Sequence, residues 1–166
     1  LKKIHEILVD GGVIAYPTES VFGLGCDPSN EQAIAKILEI KKRTLEMGFV
    51  LLTPNIKIVS GWVSMSNKQL KIVSSPSPRP TTYIVPASDS APKWLAVKNT
   101  LAIRLSNDPF IKNICGLLGL PIVSTSANLH GEQPCKSAKE VQTIMGSQLD
   151  YIVFKPTGSF NNPSTI

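Results

Sequence analysis

The chain has 166 residues, 42% of them hydrophobic and 17% charged, enough for one domain with a real core. Its three cysteines, Cys26, Cys115 and Cys135, form no Cys-x-x-Cys pair, which argues against a disulfide framework and against a zinc site; a reducing cytoplasm is the simplest setting. No apolar run approaches the roughly 20 residues of a membrane span, and the net charge of +5 fits a polyanionic partner such as a nucleotide or RNA without requiring one.

Leu1, Ile4, Ile7 and Leu8 recur at helical spacing until Gly11-Gly12, after which Val13–Tyr16 reads as a short buried strand. Ser29 and Gln32 make a capping-box pattern for a second helix, with Ile34, Ile37 and Leu38 on one face. That helix ends in Lys41-Lys42-Arg43, where the helix dipole favours cations whether or not they serve a ligand. Gly48–Thr53 and Thr81–Pro86 read as strands, the latter after the prolines at 76, 78 and 80. Leu101–Leu105 is a further strand whose one charge, Arg104, is either a ligand clamp or a satisfied edge-strand arginine. Asp108-Pro109 opens a helix through Leu118, Ile122-Val123 ends the next strand, and Ser137 with Glu140 caps a helix that stops at Gly146. Tyr151–Phe154 is the last strand. Strands and helices interleave throughout, so the expected class is α/β with a mixed sheet.

Two stretches carry chemistry. Ser124, Thr125, Ser126 and Asn128 place three hydroxyls and a carboxamide directly after a buried strand, a pattern that suits either an anion or a polar turn. Tyr16–Gly25, Tyr-Pro-Thr-Glu-Ser-Val-Phe-Gly-Leu-Gly, combines hydroxyls with two glycines that allow a tight backbone path, and it is neither a Walker A loop nor a dinucleotide fingerprint. Phosphate binding then falls to Lys41, Arg43 and the hydroxyls around Ser126.

These blocks, with Leu-Ala-Ile-Arg at 101–104, Ser-Thr-Ser-Ala-Asn-Leu-His-Gly at 124–131 and Pro-Ser-Thr-Ile at 163–166, stand in an order that resembles the short, single-domain form of the YrdC/Sua5 family over nearly the whole chain. The resemblance implies one YrdC-like domain over residues 1–166, a twisted mixed sheet flanked by helices around a large concave basic cavity. The start without Met and the stop after Pro-Ser-Thr-Ile raise the expectation that one or both ends are truncated. It implies a nucleotidyltransferase that condenses L-threonine, bicarbonate and ATP to threonylcarbamoyl-AMP, pyrophosphate and water, for the threonylcarbamoyladenosine modification of tRNA. ATP would be a substrate and Mg²⁺ its companion ion, with no protein metal ligand to be named. The product would pass to a downstream threonylcarbamoyl transferase complex, with tRNA contact at this chain a further expectation and no membrane involved. Charge neutralisation and positioning suit such a reaction better than a covalent nucleophile.

Carried over by position, the family's Lys-x-Arg falls on Lys41 and Arg43 and its Ser-x-Asn on Ser126 and Asn128, implied to contact the phosphates and orient the adenylate. Thr100 matches a nucleotide-contacting position. Ser20 stands where the family usually has a threonine-binding Thr, Arg104 matches an arginine for the amino acid's carboxylate, and Ser124 and Ser164 match the amino-acid side. Departures are Ser77 and Arg79 in place of Trp and Gly in a proline-rich turn, His130 for Ser, Thr44 for Pro, and Met47 for a polar residue. Arg79 puts that turn's geometry in question, since glycine alone enters positive φ freely. The competing reading is a nonenzymatic tRNA- or rRNA-binding module of the same fold, against which stand the lack of aromatic stacking runs and of an RNP-like motif.

Overall fold

A computed structural model describes residues 1–44, 48–77, 79–158 and 166. The first helix, α1 (Lys2–Val9), buries Ile4 and Leu8, and Gly11 at φ 81° turns the chain into β1 (Ile14–Pro17). The Tyr16–Gly25 stretch is a hairpin and not a loop: Thr18 closes the turn with its amide and hydroxyl both on the Val21 carbonyl, and β2 (Phe22–Gly25) pairs antiparallel with β1. Phe22 and Leu24 supply the period-two inward face, while the glycines that alternate with them, Gly23 and Gly25, disguise the strand.

The second helix, α2 (Glu31–Lys41), starts one residue later than the capping-box reading placed it. Asn30 Oδ1 accepts the Ala33 amide at 3.0 Å, because the Ser29 hydroxyl is already donated to Asp27 at 2.7 Å. The helix ends on Lys42 in the left-handed region at φ 50°, so Lys42 is a cap and not a further turn of helix. After β3 (Val50–Thr53) come a 3₁₀ helix (Ile56–Trp62) and α3 (Asn67–Ser74), neither of which the periodicity announced. Ser66 and Gln69 form a full capping box for α3. In the proline-rich approach the Arg79 carbonyl accepts from the Ser77 hydroxyl at 2.8 Å and from the Thr81 hydroxyl at 3.0 Å. β4 (Thr82–Pro86) follows, and the turn into β5 (Thr100–Leu105) has Lys98 and Asn99 both at positive φ. Asp108 caps α4 (Pro109–Leu118), accepting from the Phe110 and Ile111 amides.

β6 (Ile122–Ser126) does not end at Val123 as expected, because its hydroxyl residues are themselves strand. In α5 (Ala138–Met145) Ser137 caps as anticipated, but Glu140 reaches the Lys136 amide at 2.8 Å, so the reciprocal half of the box is missing. β7 (Tyr151–Ile152) is shorter than the four residues expected, and Phe154 is 70% exposed.

Among the described residues seven strands run in the order β4-β5-β3-β6-β2-β1-β7, a mixed sheet. β5 is therefore interior, and Arg104 cannot be an edge-strand arginine. One face packs Leu51, Ile103, Leu101, Val123, Phe22 and Leu24 against α2 and α5 residues such as Ile34, Ile37 and Val141. The opposite face is covered only in part, where Leu52, Ile122, Ile14 and Tyr16 meet Ile4 and Leu8 of α1 and Ile111 and Ile114 of α4. The bare remainder of that face is the candidate site.

The β2 glycines lie under this second face. A Cβ at Gly25 would stand 2.7 Å from Tyr16 Cε1 and 2.7 Å from the Val123 carbonyl, both in buried surroundings. Gly25→Ala is expected to cost about 1–3 kcal/mol in denaturant melts through overpacking. Gly61→Ala, with nothing within 4 Å of its new methyl, should be nearly silent; equal effects would mean that Gly25 is not closely packed.

Candidate functional site

Register builds the floor of the site. Ile84, Ala102, Val50 and Ser124 stand abreast on β4, β5, β3 and β6, because Ile84 pairs with Ala102, Ala102 with Val50, and Val50 with Ser124. Over this floor lies a cavity of about 380 Å³, with Leu95 and Val97 as an apolar wall and with Arg43, Thr100, Thr125 and Ser126 as its polar rim. A recess of about 150 Å³ adjoins it, lined by Thr18, Ser20, Arg104 and the same Ser124–Ser126 stretch. The two spaces share one strand as their common wall.

β6 can serve both because it lies between β3 and β2 and its two ladders differ in length. Ile122–Ser124 pair with β3, while on the other edge the bonding runs on from the Val123 amide, given to the Cys26 carbonyl, to the Ala127 amide, given to the Phe22 carbonyl. Where the strand leaves β3, the Arg43 guanidinium bridges to the Gly48 carbonyl and to Thr125 Oγ1 at 3.0 Å, with Phe49 beneath it at 5.3 Å. Its Nε is buried without a partner. Arg43 is thus a fixed cation with donor capacity unspent.

Lys41 is placed differently. It is 2% exposed and lines neither space, and its ammonium donates to the Ser126 carbonyl, to the Asn128 carbonyl at 3.0 Å and to Asn128 Oδ1 at 2.9 Å. Asn128 Oδ1 also accepts the Ser126 hydroxyl at 2.6 Å, and its Nδ2 donates to the Leu129 and Glu132 carbonyls. All three ammonium protons are committed to the turn after β6. In this geometry Lys41 and Asn128 shape the rim that Ser126 presents, from behind it.

The remaining sequence-predicted residues divide between the two spaces. The Thr100 hydroxyl is donated to the Val97 carbonyl at 2.8 Å, leaving its lone pairs for the cavity. Arg104 donates from Nη2 to Glu19 Oε2 at 3.2 Å, and its Nε is buried and unpartnered. Ser20 and Ser124 line the recess beside it. Ser164 lies outside the described residues, as do Met47 and Pro78. His130 is an exposed loop residue whose amide donates to the Lys41 carbonyl. Arg79 lines a different cavity, of about 550 Å³, together with Glu19 and Lys57.

Residue chemistry alone named Thr125 only as one of three hydroxyls after a buried strand, and gave Glu19 and Tyr16 no role of their own. Glu19 pairs with Arg104 across two intervening strands, and Thr125 anchors Arg43. Tyr16 is wholly buried with its hydroxyl unpartnered. Thr125 and Tyr16 sit in flagged stretches, yet only the pairing of strands shows which neighbours they meet.

A profile of the Sua5–YciO–YrdC family, described as telomere recombination, matches residues 6–166. A protein of Photorhabdus laumondii named threonylcarbamoyl-AMP synthase is 43% identical over 158 residues, covering 93% of this chain and 83% of its own length. One of the same name from Vibrio vulnificus is 39% identical over 170 residues, covering 100% of this chain and 91% of its own. Among solved structures, P. abyssi Sua5 complexed with L-threonine superimposes with a TM-score of 0.85 at 22% identity, a likeness of fold. The match covers 94% of this chain and 46% of that one, so the chain spans under half of the solved protein's length.

Burial, helped by the charge of Arg43, draws Lys41 from its ordinary 10.5 down to about 8. Between those values the unfolded chain binds the proton more tightly than the native state. The cost of the buried charge is therefore in full force below about pH 8 and is relieved as pH rises toward 10.5. Lys41→Met, which strands three acceptors, is expected to cost about 1–3 kcal/mol at neutral pH. The deficit against the unsubstituted protein should widen between pH 8 and 10.5 in denaturant melts; parallel pH profiles would show that Lys41 is not held in this network.

Proposed function

The chain belongs to the Sua5–YciO–YrdC family, and we propose that it is an adenylate-forming nucleotidyltransferase that condenses L-threonine, bicarbonate and ATP to threonylcarbamoyl-AMP. The observation that carries this reading is the shared wall of Ser124–Ser126, which sets a nucleotide-sized cavity with a fixed cation beside a recess with a second guanidinium. Val50, Ile84, Val97 and Ala102 offer a flat apolar surface suited to a base, and Arg43, Thr100 and Ser126 offer charge and hydroxyls suited to phosphates. In the recess Arg104 meets the amino acid's carboxylate, and Ser20 and Ser124 meet its polar atoms.

The chemistry asks for two bond-forming steps. The amino nitrogen attacks the carbon of bicarbonate, which leaves a carbamate and releases water. A carbamate oxygen then attacks the α-phosphorus as the bond to pyrophosphate breaks. Neither step needs a protein nucleophile; both need charge held still while negative charge moves. The buried cysteines agree with this, since burial pushes the Cys115 thiol up to about 12 and raises Cys26 and Cys135 as well, away from the reactive thiolate.

Among the described residues no group of three His, Cys, Asp or Glu side chains is arranged for a metal, and the donors around the cavity are hydroxyls. Mg²⁺ fits this site as an ion carried on the phosphate oxygens of ATP, with serine hydroxyls and water completing its shell. In the cell the adenylate would pass, in the cytoplasm, to a transferase complex acting on tRNA, with direct tRNA contact at this chain part of the same proposal. Among the described residues no helix is long and apolar enough to cross a membrane.

Pyrophosphate release from ATP is expected to depend on both L-threonine and bicarbonate, measured by coupled phosphate detection with each omitted in turn. Release at the same rate without threonine would remove the synthase reading and leave an RNA-binding module of this fold.

Arg104→Lys keeps a charge for Glu19 but loses the planar fork. It is expected to raise the KM for L-threonine by on the order of tenfold, the loss of one charge-assisted hydrogen bond, with the ATP KM nearly unchanged. Unchanged threonine affinity by calorimetry would make Arg104 a structural partner of Glu19 only.

A further inference from the structure

Among the described residues three buried side-chain atoms lack a hydrogen-bond partner: Tyr16 Oη, Arg43 Nε and Arg104 Nε. Arg104 lines the recess, and the Tyr16 hydroxyl is directed at Ser124, another of its lining residues. Tyr16 leaves β1 on the face that α1 and α4 partly cover, and its ring lies against Phe110 with centroids 5.4 Å apart. The neighbouring strand, β2, has glycine at 23 and 25. A Cβ at Gly25 would strike Tyr16 Cε1 at 2.7 Å, and a Cβ at Gly23 would come within 3.4 Å of Ser124 Oγ. The two glycines therefore clear a lane across β2, along which the tyrosine ring extends toward β6.

At the end of that lane the hydroxyl faces Ser124, which acts on it as a hydrogen-bonding neighbour although the contact misses the geometry of a full hydrogen bond, with the charges of Arg104 and Glu19 also within electrostatic range. Burial keeps it protonated. Phenylalanine would fill the same space without burying an unpaired hydroxyl, which is costly to leave unsatisfied. The Tyr16 oxygen is thus held with less than full hydrogen bonding.

Donor and acceptor arithmetic shows what would satisfy it. Arg104 Nε has one proton and no lone pair to offer, a tyrosine hydroxyl has one proton and can accept, and a serine hydroxyl can do both. One chain uses every group: Nε–H donates to Tyr16 Oη, whose own proton goes to Ser124 Oγ, which frees the serine proton for the recess. We propose that Tyr16 is a positioning residue for the amino-acid half of the site: with a carboxylate on Arg104, its hydroxyl joins Arg104 Nε to Ser124 Oγ and turns the Ser124 proton toward the substrate. The inference rests on the reading of Arg104 and Ser124 as the amino-acid side.

The test compares Tyr16→Phe, Ser124→Ala and the double variant with the unsubstituted protein. Thermal melts are read beside pyrophosphate release at varied L-threonine and at varied ATP. Tyr16→Phe is expected to melt at the same temperature or higher. It should raise the threonine KM roughly five- to tenfold, the worth of one hydrogen bond, and leave kcat and the ATP KM within about twofold. In the Ser124→Ala background it should add nothing further, because the path through Ser124 is already cut. An unchanged threonine KM, equal losses in both substrates, or full additivity in the double variant would each overturn the proposal. The underlying reading is judged separately by the unsubstituted protein: release that ignores threonine removes that reading and the proposal with it, whereas threonine-dependent release leaves the Tyr16→Phe comparison to decide.

Discussion

The early end of the ladder between β6 and β3, while β6 stays bonded to β2, is the constraint on which the site depends. A strand that stayed with β3 for its whole length would close the sheet, and a strand that left earlier would lose the floor beneath Val50. Leaving between Ser124 and Thr125 opens a gap in the backbone ladder, and an unpaired carbonyl in such a gap is costly unless something donates to it. Arg43 supplies that donor, at Gly48, and anchors itself on Thr125. The repair of the ladder and the placing of a cation at the cavity are then one event, which explains how an arginine comes to be half-buried with no carboxylate bonded to it among the described residues.

The same economy operates one turn further on. Lys41 sits in a nest of carbonyl and carboxamide oxygens with no carboxylate among its partners. A buried ammonium held by dipoles alone remains partly uncompensated, and its lowered proton affinity, down to about 8, reflects that. The chain tolerates the cost because the ammonium ties the two ends of the Ser126–Asn128 turn together, and with it the direction of the Ser126 hydroxyl. A lysine that looks like a phosphate clamp in the sequence is, in this fold, the fixative of a rim.

Much of this architecture was legible in the residues, and what was not has a physical reason. Helices α1, α2, α4 and α5 announce themselves by apolar periodicity and by caps, and Asp108-Pro109 marks the start of α4 to the residue. β2 was hidden because glycine carries no propensity for a strand, although Phe22 and Leu24 alternate as a strand requires. α3 was hidden by its short length and mostly polar exposed surface, which leaves Val73 as its one buried residue. At the site, side-chain chemistry together with the family resemblance pointed to Arg43, Thr100, Arg104, Ser124 and Ser126, which do line the two spaces. Glu19 and Tyr16 escaped because their importance comes from partners on non-neighbouring strands, information that appears only once β1, β2, β6, β3 and β5 are laid side by side.

The balance of charge around the two spaces follows from the substrate they are read to hold. ATP, bicarbonate and a carboxylate are all anions, so each carboxylate the protein placed there would raise the cost of bringing them together. Among the described residues the cavity under Arg43 is lined by hydroxyls and apolar side chains with no acidic residue among them, and the carboxylate of Glu19 beside Arg104 is already paired with it. Pairing orients the guanidinium while leaving its Nε undischarged, so the recess is held in shape before any ligand arrives. Preorganisation of this kind puts the cost of positioning into folding, where the packed lane of Tyr16 over Gly25 and the anchored Arg43 already bear it, and leaves the bound anions little to rearrange.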